Sequence, residues 1–165
     1  MNLQFKLGTD GGENSIGYYT WTLYLDMRNM AHNVCNIDLN INVVCSLRPE
    51  AIAMISFLTF LVHYSCFNSF TLNLEILQLT DNSEVIRRSY QFLGNHIISP
   101  NSLMETDQDV MIQITAMLEK TGYVQFKIEH VKSHQEKKAK DIRLLSNKAK
   151  INIATDKLAS YGKRL

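Results

Sequence analysis

The chain has 165 residues, 45% apolar and 20% charged, the make-up of one ordinary globular domain with its own core and not of a disordered or fibrous chain. Three cysteines (Cys35, Cys45, Cys66) and no Cys-x-x-Cys pair exclude a disulfide framework and a thiolate zinc site, and suit a reducing, intracellular compartment. The net charge of +1 conceals an acidic body and a basic end. From Lys120 to Leu165, Lys and Arg outnumber Asp and Glu twelve to four, while the first 119 residues hold five against twelve, so a polyanion is the expected partner of the C-terminal end.

The first element is a short strand, Phe5-Lys6-Leu7-Gly8-Thr9-Asp10, that ends in a carboxylate followed by Gly11 and Gly12. Side chains alternate along a strand, so Leu3, Phe5 and Leu7 share an apolar face while Lys6 and Asp10 point to the opposite, open side of the sheet. The glycines read as a sharp turn with room for something to approach the backbone. Ile16 to Met27 alternates as a second strand, with Tyr19, Trp21, Leu23 and Leu25 against Tyr18, Thr20, Thr22 and Tyr24. Cys35, Ile37, Leu39 and Ile41 alternate in a third, and Asn29, His32 and Asn33 mark the turn before it. Short connections make these three an antiparallel meander.

Ser46-Leu47-Arg48-Pro49-Glu50 is a helix start, with a capping serine, a proline in the first turn and an acid at the positive end of the dipole. The run Ala51 to Cys66 is shorter than the roughly 20 residues a bilayer span needs and carries Ser56, Thr59 and His63, so a buried helix is expected. The N-terminus has no basic-then-apolar leader pattern, and a membrane partner is not expected. Leu72 to Leu79 is apolar on both faces, as a central strand is, and Thr80-Asp81-Asn82-Ser83 opens a helix that stops at Gly94. Asn95 to Met104 is a loop and Asp107 to Thr121 a helix with Gly122 as its stop. Tyr123 to Val131 is the last strand, with Val124, Phe126 and Ile128 inward. A lysine-rich loop from Lys132 to Arg143 and a helix from Ser146 to Ser160 close the chain. The order predicts a single α/β domain over residues 1–165, with a mixed five-stranded sheet flanked by helices.

Four acids fall at or near element ends: Asp10, Glu50, Asp81 and Asp156. Singly each has an ordinary explanation as a turn residue, a dipole partner, a cap or a solvated helix acid. Jointly they point to a site, because ligands gather where strand ends meet helix starts in α/β sheets. Clustered carboxylates repel unless a cation neutralises them, and hard oxygen donors suit Mg²⁺ or Mn²⁺.

Thr9-Asp10-Gly11-Gly12, Ser46 to Ala51, Leu79 to Ser83, His130-Val131-Lys132-Ser133-His134-Gln135 and Asn152 to Ala159 occur in the order and at about the spacing of the ribonuclease H family, which the chain resembles over nearly its whole length. It is similar in particular to ribonuclease H domains at the ends of reverse transcriptase polyproteins in eukaryotic retroelements. The resemblance implies the ribonuclease H-like fold, with two Mg²⁺ ions held by Asp10, Glu50, Asp81 and Asp156. Asp10 would serve both ions, Asp156 the one that activates water, and Glu50 and Asp81 the one that steadies the leaving oxygen. It implies a loop histidine, His134, for proton transfer or product release. The implied substrate is an RNA–DNA hybrid, read by shape, phosphates and 2′-hydroxyls, with the RNA strand cut. Gly11, Gly12 and Asn82 match positions near the scissile strand. Arg87, Arg88, Lys132, Lys137, Lys138 and Lys140 are candidate backbone contacts, and a reverse transcriptase domain is a candidate neighbour. Ser133 stands where the family usually has glycine, Thr155 replaces a usual alanine or acid, and Asn95 to Met104 lacks the basic protrusion of some members.

Two other readings use the same residues: a DNA-cleaving domain of the integrase or transposase type, and a decayed domain that binds nucleic acid without cutting it. The helix-borne Asp156 and the histidine loop before it favour the hybrid nuclease, as do four intact carboxylates. The short lead before the first strand suits an excised domain or a short reading frame.

Overall fold

The structure, a computed structural model of the chain, describes residues 4–13, 17–37, 47–68, 74–95, 107–121 and 125–162. Leu3, the Leu39 and Ile41 of the third strand, the capping Ser46, Leu72, the loop over 96–104, the Gly122 stop and Val124 lie outside the described residues. The elements are β1 (Gln4–Glu13), β2 (Gly17–Leu25), β3 (Arg28–Ile37), α1 (Leu47–Asn68), β4 (Glu75–Thr80), α2 (Ser83–Asn95), α3 (Gln108–Thr121), β5 (Gln125–His130) and α4 (Asn147–Gly162). The strands form one sheet in the order β3-β2-β1-β4-β5. The first three are antiparallel, while β4 runs parallel to β1 and β5 parallel to β4, the mixed sheet expected.

Two local expectations are corrected. The second turn is not at Asn29, His32 and Asn33, which all lie in β3; it is the pair Asp26-Met27, both with positive φ (45° and 65°). Such mirror-image two-residue turns match the right-handed twist of a hairpin, and methionine gives no sequence signal for one. The first strand does not end at Asp10 either. β1 continues through Gly11 and Gly12 to Glu13, each paired with β2, so the glycines are strand residues and not a turn.

Their small size serves packing. A Cβ on Gly11 would stand 2.7 Å from the backbone of Pro49 and Glu50, and one on Gly12 would fall on the Tyr18 ring. On the Cβ side of these glycines, the room is taken by α1 and by Tyr18.

Period-two alternation divides the core. Leu7, Trp21, Leu23, Ile76 and Ile128 face α1 and α3, meeting Met54, Phe57, Leu58, Leu61, Met111 and Ile114. Trp21 meets Phe57 edge-on with ring centroids 5.4 Å apart, and its indole N–H donates to Ser56 at 3.1 Å. The opposite side of the sheet is not open, as the lone alternation of β1 implied, because α4 covers it. Ile151 of α4 packs on Leu77, Leu79 and Val131, and the Thr155 and Thr22 hydroxyls meet at 2.6 Å in the buried layer between α4 and β2. Gly8 makes that approach possible, since its missing Cβ would fall on the Thr155 hydroxyl and stand 2.9 Å from that of Thr22. Gly8→Ala is expected to cost about 1–3 kcal/mol by overpacking and loss of the hydroxyl pair, measured by urea unfolding; an unchanged midpoint would show that α4 sits farther from β1.

α1 is longer than expected. Its 22 residues meet the length and apolarity of a membrane span, yet Leu47, Ala51, Met54, Phe57, Leu58 and Leu61 are buried against the sheet and α3. The expected burial is incomplete: Ile52, Ile55 and Phe60 are only partly buried, and the last turns are open, with Phe67 88% exposed.

Candidate active site

Register sets two of the carboxylates side by side. The parallel pairing of β1 with β4 ends at Gly8 and Leu79. Asp10 and Asp81 each stand two residues beyond that pair, so both project to the α4 side of the sheet. Asp156 comes to them on α4, one residue after the Thr155 hydroxyl that fixes the helix against β2. Asp10, Asp81 and Asp156 line one open cleft of about 530 Å³, together with Gly11, Tyr18, His134, Glu136, Lys137, Ile153, Lys157 and Ser160. Asp10 Oδ1 accepts from the Gly11 N–H at 2.8 Å, which aligns it with its own strand.

Glu50 reaches the same place from the opposite layer. It lies in the first turn of α1, is 2% exposed, and accepts a hydrogen bond from the Thr80 hydroxyl at the end of β4. That hydroxyl in turn accepts from the Asn82 N–H at 3.1 Å. The turn is anchored by Arg48, which grips Asp107 at 3.1 Å and Asp109 at 2.7 Å at the start of α3. Arg48 was legible in the sequence only as part of a helix start.

Burial pushes the Glu50 carboxyl well above the usual carboxylate range, against the Thr80 hydrogen bond, and the charges of Asp81 and Asp10 push it further. Asp156 is pushed up to about 6 by burial and then by the charge of Asp81. The native state therefore holds the Asp156 proton more tightly than the unfolded chain does. Its favourable contribution is complete below the ordinary value of 3.8 and lost as pH rises through about 6. In the presence of a chelator, the Tm of the wild type relative to Asp156→Asn is expected to fall across that window and then level off. A difference that stays flat from pH 4 to 7 would mean that Asp156 is solvated.

The remaining expected residues are distributed unevenly. His134 is on the cleft wall, 60% exposed, with the left-handed backbone φ 51°, ψ 36°. Lys137 is on the same wall, while Lys132 and Lys138 line a second cavity of about 260 Å³ with Ser133, Gln135, Ala139 and Leu145. Asn82 caps α2, its side-chain oxygen accepting from Glu84 N at 3.0 Å and Val85 N at 3.3 Å. Arg87 and Arg88 both bind Glu84, whose carboxyl they pull down to about 2. Arg88 is 6% exposed, so the surface contact expected of it is not where the structure places it. Neither arginine lines the cleft.

Five cleft residues were missed, and four had a signal. Ile153, Asp156, Lys157 and Ser160 are spaced i, i+3, i+4, i+7, so once Asp156 is placed, helical periodicity names Ile153, Lys157 and Ser160. Tyr18 sits opposite Gly12 in the hairpin. Glu136 has no signal beyond its nearness to His134.

The four acids are all hard oxygen donors, and each negative charge penalises the next, which is the chemistry a divalent cation relieves. The fit is one of donor type and charge and not of a ready-made shell. Among the described residues, no three His, Cys, Asp or Glu side chains are placed to hold one ion.

No family model matches the chain, and no curated protein matches it. Solved structures do. The LC11 ribonuclease H1 from compost shares 16% identity with a TM-score of 0.61, over 98% of this chain and 96% of that one, and it has also been solved with an RNA/DNA hybrid. The ribonuclease H1 of the archaeon Halobacterium salinarum shares 15% at 0.53, over 82% of this chain and 91% of its own. The prototype foamy virus protease-reverse transcriptase shares 15% at 0.58, covering 99% of this chain but 21% of the viral one. At these identities the likeness establishes the fold: the chain has the ribonuclease H-like fold.

Proposed function

We propose that the chain is a metal-dependent endoribonuclease that cuts the RNA strand of RNA–DNA hybrids. The observation that carries this is the gathering of Asp10, Asp81 and Asp156, from β1, the end of β4 and α4, into one cleft with Glu50 beneath it, in this fold. Asp10, Glu50, Asp81 and Asp156 would hold two Mg²⁺ ions, or Mn²⁺. When bound, the ions supply Lewis acidity toward the attacking water and the departing oxygen.

The chain's own residues do the rest. Lys137 and Lys157 offset the acids on the cleft wall and draw a phosphate toward them. Lys132, Lys138 and Lys140 extend the basic surface along the backbone, and the exposed Arg87 and the loop around Asn82 meet it from the β4 side. His134, solvent-facing at the cleft mouth, moves a proton at the leaving oxygen or eases product release. A place beside a reverse transcriptase, as in retroelements, is supported by the foamy virus likeness and by the motifs quoted above.

The test is to incubate the full chain with labelled RNA–DNA hybrid, duplex DNA and duplex RNA, with Mg²⁺ or EDTA, and to measure binding in parallel. Mg²⁺-dependent cutting confined to the RNA of the hybrid is expected. Binding without cutting would select the decayed domain, and cutting of duplex DNA the integrase-type reading.

A further inference from the structure

We propose that Glu136 aims His134, holding the imidazole by Nδ1 so that Nε2 is the nitrogen presented to the cleft. This rests on the hybrid-cleaving reading of the same site. A histidine 60% exposed on a loop has many rotamers and two tautomers, and only a partner selects among them. The loop supplies one. Glu136 Oε1 lies 3.7 Å from His134 Nδ1, at ion-pair distance, and both residues line the cleft with Asp156.

The backbone makes this pairing local. His134 takes a left-handed conformation, rare for a residue with a side chain, and a single 3-10 turn, Gln135–Lys137, follows at once. The Lys137 N–H donates to the His134 carbonyl at 3.2 Å, closing the turn over the two residues between them. Gln135 Nε2 donates to the Lys132 carbonyl at 2.8 Å and braces the loop on its own base. The turn thereby carries the carboxylate back toward the imidazole.

The Glu136 carboxylate is also an electrostatic cost that requires a reason. It adds a negative charge to a cleft that already holds Asp10, Asp81 and Asp156, countered there by Lys137 and Lys157, and it acts unfavourably on Asp156. Its Oε2 is buried with no hydrogen-bond partner among the described residues. A solvated surface glutamate would turn that oxygen to water. Held inward, the carboxylate faces the imidazole. Glu136 is on this account a positioning residue, acting through His134.

The test uses the full chain and two readouts. Nitrogen-15 NMR of metal-free protein above the imidazole titration reports the His134 tautomer. The Nδ1–H form is expected in the wild type and in Glu136→Gln, whose amide oxygen still accepts, and it is lost in Glu136→Ala. Steady-state cleavage of hybrid is expected to lose about tenfold in kcat with unchanged KM in Glu136→Ala, the order seen when a positioned group loses its orienting partner. Most of that is recovered in Glu136→Gln, and Glu136→Ala adds nothing in a His134→Ala background. A wild-type tautomer in Glu136→Ala would overturn the proposal, as would an equal loss with and without His134. A tautomer that follows Glu136 in a protein that cuts no hybrid would uphold the pairing and sink the cleavage reading alone.

Discussion

Asp10→Asn is expected to abolish hybrid cleavage, by about 10³-fold or more, and to leave the fold intact. The size follows from removing a charged donor at the centre of the acid cluster, which forfeits several kcal/mol of charge stabilisation. The fold should survive because the Gly11 N–H, which donates to Oδ1 at 2.8 Å, finds the same acceptor in the asparagine amide oxygen. β1 stays paired on both sides at Gly8 and with β2 from Lys6 to Glu13. Cleavage within tenfold of the wild type, with the circular dichroism melt unchanged, would show that the cluster is not the reacting centre.

Glu50→Gln is expected to move activity and stability in opposite directions. The wild-type side chain is an acid taken almost wholly out of water and placed near Asp81 and Asp10. Its folded value lies well above its ordinary 4.5, so folding is most favoured at low pH, and the penalty grows as pH rises above that ordinary value. Glutamine is neutral, keeps an oxygen for the Thr80 hydroxyl and removes the penalty. In chelator at pH 7.5 the variant should be more stable by about 1–3 kcal/mol in urea unfolding, with a smaller gain at pH 5. Hybrid cleavage should fall by about 10²-fold or more, and Mg²⁺ should raise the Tm of the wild type more than that of the variant. A variant less stable than the wild type at both pH values would mean that Glu50 is held chiefly by its hydrogen bonds.

Alternation and helix-start chemistry in the sequence identified the five strands and four α-helices of the described residues, because those patterns are local. The element order in turn constrained the connections to a mixed sheet. Asp10, Glu50, Asp81 and Asp156 were legible as carboxylates near element ends for the same reason. What local pattern does not carry is what a second element does to the first. The Asp26-Met27 turn was invisible because positive φ there is imposed by the hairpin and not by a glycine. Gly11 and Gly12 read as a turn, although the residues that fill their space lie on α1 and β2. Arg88, a basic residue in a basic-looking stretch, is buried beside Glu84, and Glu136, unremarkable in sequence, is in the cleft wall.

By itself, then, the sequence determined the fold class and the four acids, since periodicity and residue type follow from the chain alone. Tertiary structure decided which acids share a cleft. The parallel register of β1 on β4 sets Asp10 beside Asp81, the Gly8–Thr22–Thr155 contact seats α4 so that Asp156 joins them, and α1 delivers Glu50 from the other layer. Those juxtapositions join residues up to 147 positions apart, from Gly8 to Thr155, and close packing across the sheet is what brings them together.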